Sequence, residues 1–171
     1  PITAISLPDG EKASSVACCD NSVVVLSSNG RVFTSPVESN KAIEFSAVSE
    51  LSGKEIVCVS GTSDHCLAVS KEGRVFGRGS NAKGQLGLGK GPGSVSFTEI
   101  LSLRGCKIRA AYAGRLHSLF ETNEGKILSC GYNYFGQLLL NKGPGENVYV
   151  PTETTITSGS TFCIAGRCCS V

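Results

Sequence analysis

Short apolar runs alternate with polar, glycine-marked turns along the chain. Val23-Val24-Val25-Leu26 leads through Ser27-Ser28-Asn29-Gly30 to Arg31-Val32-Phe33-Thr34. Cys66-Leu67-Ala68-Val69-Ser70 leads through Lys71-Glu72-Gly73 to Arg74-Val75-Phe76-Gly77-Arg78-Gly79. The stretch from Ser118 to Thr122, followed by Lys126-Ile127-Leu128-Ser129, has the same form. Two strand-length runs joined by a tight glycine turn predict a β-hairpin. Ahead of a hairpin comes a further alternating stretch, as in Ile56-Val57-Cys58-Val59 and Lys107-Ile108-Arg109-Ala110-Ala111. Helical spacing is nowhere sustained over about ten residues, and glycine interrupts every candidate. The apolar runs are also far shorter than the roughly 18 residues of a membrane-spanning helix. The pattern predicts an all-β chain of short strands.

The hairpins are copies of one another. Glu72-Gly73-Arg74-Val75-Phe76 recurs as Glu124-Gly125-Lys126-Ile127-Leu128, 52 residues later. Gly84-Gln85-Leu86 returns as Gly136-Gln137-Leu138, and Lys90-Gly91-Pro92-Gly93 as Lys142-Gly143-Pro144-Gly145, at the same offset. Ala113-Gly114-Arg115-Leu116-His117-Ser118 is matched by Ala165-Gly166-Arg167-Cys168-Cys169-Ser170. An earlier copy, Asn29-Gly30-Arg31-Val32-Phe33, lies 43 residues before the second, so the first repeat is shorter. The chain therefore divides into repeats at 1–44, 45–96 and 97–150, with the start of a fourth at 151–171. A period near fifty residues, made of short strands, is that of a propeller blade.

The landmarks carry a family resemblance. Gly-x-x-His-Ser, a glycine eight residues after the His, and Gly-x-Asn-x-x-Gly-Gln-Leu-Gly-x-Gly together resemble the regulator-of-chromosome-condensation repeat. Repeat two supplies His65, Gly73 and Gly79-Ser80-Asn81-Ala82-Lys83-Gly84-Gln85-Leu86-Gly87-Leu88-Gly89. Repeat three supplies Gly114-Arg115-Leu116-His117-Ser118, Gly125 and Gly131-Tyr132-Asn133-Tyr134-Phe135-Gly136-Gln137-Leu138. Repeat one has Ser22 at the His position and Gly30 at the turn, but no Gly-Gln-Leu. Repeat three has Leu139 and Asn141 where the pattern has glycine. The resemblance implies part of a seven-bladed β-propeller, about three blades plus the opening of a fourth. Three and a third repeats cannot close such a ring alone, since open blade faces invite pairing. The expectation is a piece of a larger propeller, consistent with the lack of Met, or self-association of two copies to complete the ring.

Composition sharpens this picture. The 171 residues include 21 Gly, nine Cys and no Trp, with 18% charged residues and a formal net charge of +2. The cysteines are odd in number and irregularly spaced, without a Cys-x-x-Cys pair, and no Asn-x-Ser/Thr acceptor occurs. They read as reduced, buried strand residues of an intracellular protein, cytoplasmic or nuclear. The small net charge conceals a partition: residues 71–115 carry nine basic side chains against only Glu72 and Glu99. Such a region suits an acidic partner, or serves simply as a solvated face. Direct reading of nucleic acid is disfavoured, because no regular aromatic interleave accompanies the basic residues.

Several chemistries drop out. His65 and His117 are the only histidines, at equivalent repeat positions, and read as structural. Ligands supplied one per blade stand too far apart for zinc, so no metal is expected. Gly77-Arg78-Gly79-Ser80-Asn81-Ala82 imitates a dinucleotide fingerprint, and the segment from Gly84 to Lys90 imitates a phosphate loop. Neither opens a helix, and Gly91 replaces the Ser or Thr that would hold magnesium, so no cofactor is expected. No nucleophile has a base arranged beside it, which points away from covalent catalysis.

What remains is recognition. The reading is a non-enzymatic protein-interaction platform whose loops on one face hold a partner through Asp64, Arg78, Lys83, Arg115, Tyr132, Tyr134 and Phe135. His65, His117, Gly73, Gly125, Gln85 and Gln137 are its structural landmarks. The resemblance also implies an alternative, a chromatin-associated guanine-nucleotide exchange factor for a Ran-like small GTPase, with Asp64 at the rim just ahead of the consensus His. No obvious hairpin insertion supplies the wedge such factors use. The family's plant ultraviolet receptors need Trp chromophores, which this sequence lacks.

Overall fold

The computed structural model describes residues 6–19, 21–37, 43–140 and 145–157. Among the described residues, twelve strands form three antiparallel sheets of four. The first holds β1 (Ala13–Cys19), β2 (Ser22–Ser27), β3 (Val32–Pro36) and β4 (Ser46–Ala47). The second holds β5 (Ile56–Gly61), β6 (His65–Ser70), β7 (Val75–Gly79) and β8 (Ser94–Glu99). The third holds β9 (Ile108–Ala113), β10 (His117–Thr122), β11 (Lys126–Gly131) and β12 (Val148–Thr157). Every sheet is a simple meander, with strands paired in chain order. The only helices among the described residues are single 3-10 turns at Pro8–Gly10, Ser49–Leu51 and Leu101–Leu103. None is long and apolar enough to cross a membrane.

The hairpins form in the register that the repeat demands. His65 lies opposite Gly79 and Val69 opposite Val75, while His117 lies opposite Gly131 and Glu121 opposite Ile127. Each outer strand runs past the repeat boundaries drawn from the sequence. Ser46–Ala47 lies beyond 44, β8 ends at Glu99 beyond 96, and β12 continues to Thr157 beyond 150. The outer strand pairs back onto the hairpin before the chain enters the next sheet. Residues 151–157 thus belong to β12, and 158–171, the rest of the fourth repeat, lie outside the described residues.

The sheets pack face against face, with β1 against β5, and β5 and β6 against β9. Strand β6 shows why. All six of its residues are buried, and alternate side chains point to opposite faces. Cys66 and Ala68 join Val24, Leu26, Val32, Ile56 and Phe76 in the core between the first and second sheets. Leu67 and Val69 join Val75, Ile100, Leu103, Ile108 and Phe120 in the core between the second and third. A strand buried on both faces reads as a continuous apolar run, which is how Cys66-Leu67-Ala68-Val69 appears.

Successive meanders give the molecule two distinct ends. The tight turns of β2–β3, β6–β7 and β10–β11 lie on a turn face. The β5–β6, β7–β8, β9–β10 and β11–β12 connections lie on the opposite, loop face. Turn-face glycines also dock the sheets. Gly73 has a φ of +80°, its carbonyl accepts from the Ile108 amide at 3.3 Å, and a Cβ there would stand 2.7 Å from the Lys107 Cα.

Two outcomes are expected in chemical denaturation. Gly73→Ala destabilises clearly more than Gly53→Ala, because both have positive φ but a Cβ at Gly53 meets open space. Leu67→Ala, at a fully buried position, costs about 3 kcal/mol. Val57→Ala, at a half-exposed position, costs about 0.5 kcal/mol or less.

Candidate functional site

The loop face is built on buried polar side chains from the repeat motif. In the β7–β8 loop, the Asn81 Oδ1 accepts from the Leu86 amide at 3.1 Å, and its Nδ2 donates to the Gly89 carbonyl at 2.9 Å. The Gln85 Oε1 accepts from the Lys83 amide at 2.8 Å. The β11–β12 loop repeats this wiring. Asn133 accepts from the Leu138 amide at 3.1 Å, and Gln137 accepts from the Phe135 amide at 3.0 Å. Leu86 and Leu138 are fully buried and anchor the loops beneath. The glutamines therefore fix the backbone at Lys83 and Phe135, which occupy the same slot in successive repeats. The scaffold recurs while its outward side chain changes from a cation to an aromatic ring.

A second buried network joins neighbouring sheets. The Ser118 hydroxyl donates to the Gln85 carbonyl at 2.6 Å and stands 2.8 Å from the His65 Nε2. Its single proton is used on Gln85, so the hydroxyl accepts from His65, which makes His65 the neutral Nε2–H tautomer. The Cys130 thiol also reaches the Gln85 carbonyl, at 3.6 Å. The ring of His65 thus bonds a side chain of the next sheet rather than strand backbone. Gly79, with a φ of +113°, lets β7 pass over this His, since a Cβ would stand 2.5 Å from the Asp64 carbonyl oxygen. His117 packs its ring flat on Gly114, where a Cβ would overlap it. Burial pushes the His65 imidazole down to about 3, with the nearby His117 adding to the effect, and burial alone pushes His117 down to about 4.

Five of the recognition residues inferred from the sequence meet on this scaffold. Tyr132 and Tyr134 stack with centroids 6.1 Å apart, and Phe135 meets them edge-on at 6.2 and 5.5 Å. The Lys83 ammonium sits 5.8 Å above the Tyr132 ring. Arg115 is exposed and adjacent, because the Tyr132 amide donates to the carbonyl of Leu116 at 2.8 Å. Tyr134 and Phe135 are 60% and 67% exposed. Large rings held that open are uncommon on a surface with no binding role.

Asp64 and Arg78 stand apart from this cluster. They line a cavity of about 580 Å³ with Cys19, Ser63, Ser80 and Ser94. Arg78 is committed between sheets: it donates to the Ser22 hydroxyl at 2.6 Å and lies 5.4 Å over the Phe97 ring. Ser22, the residue at the His position of the first repeat, thus serves as an inter-sheet acceptor. Sequence reasoning missed Ser118, Ser22 and Phe97. Ser118 was visible as a motif letter, but Cys66 holds its place in the preceding repeat, and its partners come from another sheet.

Several cations of the basic stretch 71–115 are paired with carboxylates. Arg74 and Arg104 both clamp Glu99, at 2.6 and 2.9 Å, and Lys71 reaches Glu55 at 2.5 Å. Hydrogen bonds from Arg104 and then Arg74 hold the Glu99 carboxyl down at about 2. Arg31 and Lys126, at the equivalent turn position, also pair with carboxylates, Asp9 and Glu11 for Arg31 and Glu153 for Lys126. These contacts all lie toward the turn face.

Three four-stranded meanders, packed face to face and wired by a recurring Asn-x-x-Gly-Gln-Leu loop, define a partial β-propeller of a repeat class. The model of the regulator of chromosome condensation (RCC1) repeat matches residues 56–85 and again 72–120. The chain belongs to this repeat family. It is 38% identical to the mouse secretion-regulating guanine nucleotide exchange factor over 110 residues, 64% of this chain and 24% of that protein. It is 30% identical to the ultraviolet-B receptor UVR8 of Arabidopsis thaliana over 167 residues, 92% of this chain and 38% of that protein. The chain thus spans well under half the length of these relatives. Among solved structures, yeast RCC1 (Prp20) bound to Kap60 superposes with a TM-score of 0.76 at 24% identity, over 92% of this chain and 39% of that one. That likeness carries the fold.

The buried histidines give a pH prediction. Unfolded imidazoles take up protons near the ordinary 6.5, whereas the folded ones resist until about 3 and about 4. Stability is therefore fully present above 6.5 and falls as the pH drops toward 4, by about 1 kcal/mol per pH unit for each ring. His65→Gln flattens this slope in denaturation curves measured at pH 7, 6, 5 and 4. Ser118→Ala leaves the His65 N–H and the Gln85 carbonyl without their shared partner and costs about 2 kcal/mol at pH 7.

Proposed function

We propose that the protein is a non-enzymatic interaction platform that holds a partner protein inside the cell, cytoplasmic or nuclear, on its loop face. The observation that carries this is the contiguous patch of Lys83, Arg115, Tyr132, Tyr134 and Phe135, drawn from three loops. Exposed aromatic and arginine side chains supply most of the energy at protein interfaces. The buried Gln85 and Gln137 pre-organise the loop backbone, so little ordering remains to be done on binding. Asp64 contributes from the separate cavity it lines with Arg78, whose guanidinium is held by Ser22 and Phe97.

Crosslinking identifies a partner, and titration then measures its affinity. The expected result is at least a tenfold loss for Tyr134→Ala combined with Phe135→Ala, and no change for Arg74→Ala on the turn face. Equal binding by wild type and the double variant would sink the platform.

A second reading, guanine-nucleotide exchange on a small GTPase, draws on the likeness to the secretion-regulating exchange factor and on Asp64 at the loop-face cavity. Exchange would proceed by favouring the nucleotide-free GTPase, without covalent chemistry. Release of a fluorescent guanine nucleotide from a panel of small GTPases, including Ran, tests it. Acceleration lost with Asp64→Ala supports exchange, and no acceleration by the intact protein rejects it.

A further inference from the structure

We propose that the loop face of the second and third sheets takes an acidic protein segment that also carries an aromatic or other apolar side chain. The inference rests on the platform reading and adds the chemistry of the partner. It is carried by cations without a carboxylate partner that stand beside exposed aromatic rings. Toward the turn face, Arg31, Lys71, Arg74, Arg104 and Lys126 each hold a carboxylate. Lys54 and Lys107 hold none among the described residues, but the ring beneath Lys54, Phe76, is buried. On the loop face, Lys83, Lys90 and Arg115 have no carboxylate partner among the described residues. Two of these cations lie over rings instead, Lys83 over Tyr132 and Lys90 over Tyr149, at 5.8 and 5.5 Å.

Cations left without counter-ions project a positive potential that draws in an anionic partner. A surface meant only for solubility avoids clustered exposed rings. Here Lys83 lies over Tyr132, whose ring contacts Tyr134 and Phe135, and Arg115 precedes Leu116, whose carbonyl accepts from the Tyr132 amide. A segment that seats an apolar side chain on the rings therefore brings its carboxylates toward Lys83 and Arg115. Lys83 stays directed by its position over Tyr132 and by the Gln85 bond to its amide.

A nucleic acid fits less well. Lys83 and Lys90 each sit over a ring instead of tracking a phosphate backbone. Tyr132 and Tyr134 already stack on each other at an interplanar angle of 10°, which uses ring surface that base stacking would need.

The test is fluorescence anisotropy of the intact protein with four labelled probes. These are a Glu-rich peptide with a central Phe-Phe pair, its Ala-Ala counterpart, a Lys-rich counterpart and a DNA duplex. The expected result is that the Glu-rich Phe-Phe peptide binds best and weakens about tenfold on going from low to high salt. Lys83→Glu with Arg115→Glu weakens it at least tenfold, as does Tyr134→Ala with Phe135→Ala. All four positions are half-buried or exposed, and matching thermal melts confirm that the variants fold. The milder pair Lys83→Gln and Arg115→Gln, expected to lose several-fold, gives a second reading that does not reverse charge. Failure of the acidic peptide to bind, equal binding by the variants, or tighter binding of the duplex overturns the proposal. If the acidic probe fails while a crosslinked partner still depends on Tyr134 and Phe135, only the acidic chemistry falls. If neither depends on these rings, the platform falls as well.

Discussion

Burial of β6 on both faces is the constraint on which the rest of the structure depends. Alternate residues of one strand feed two cores, Cys66 and Ala68 toward the first sheet and Leu67 and Val69 toward the third. None of these positions tolerates a polar side chain without an unsatisfied group in one core or the other. The flanking sheets lean on this one: Val24 and Leu26 of β2 pack from one side and Phe120 of β10 from the other. Because each sheet is stabilised by its neighbours, the loops at its ends inherit their positions from that stacking.

The loop face uses this inheritance economically. Buried amides of Asn81, Gln85, Asn133 and Gln137 hold the loop backbones, and the His65–Ser118–Gln85 chain ties one sheet's loop to the next. These groups are fully desolvated and cannot vary without leaving a partner unpaired. Exposed slots on the same scaffold carry no such constraint. Lys83 and Phe135, one repeat apart and held by equivalent glutamines, show how the outward side chain varies on a fixed frame. Lys71, Arg74 and Lys126 toward the turn face hold Glu55, Glu99 and Glu153, whereas Lys83, Lys90 and Arg115 on the loop face hold no carboxylate among the described residues.

Much of the fold was legible in advance because propeller strands are local. A hairpin such as β6–β7 closes over three turn residues, and its glycine and alternation are written side by side. The 52-residue offset then multiplied one weak local signal into a strong one. The outer strands were less legible. Ser46–Ala47 is only two residues long, and β12 begins only at Val148, well past the Gly-Gln-Leu landmark, so neither carries a pattern strong enough to mark where a sheet ends. In the candidate site, Tyr132, Tyr134 and Phe135 stood out as polar-face aromatics, but nothing in the sequence distinguished Arg78 from Arg115. The structure turns Arg78 inward to Ser22 and Phe97 and leaves Arg115 in solvent.

Residue order alone determined the repeat, the hairpin registers, the family and the lack of α-helix among the described residues, because each depends on contacts within a few residues or on a repeated spacing. Tertiary structure decided which partners lie across sheet boundaries. Ser118 meets His65 and Gln85, Gly73 meets Lys107, and Lys83 meets Tyr132 only after the sheets have stacked. Such contacts join residues 33 to 53 positions apart, and no local pattern encodes them. They are set by the angle and depth at which one buried face settles on the next.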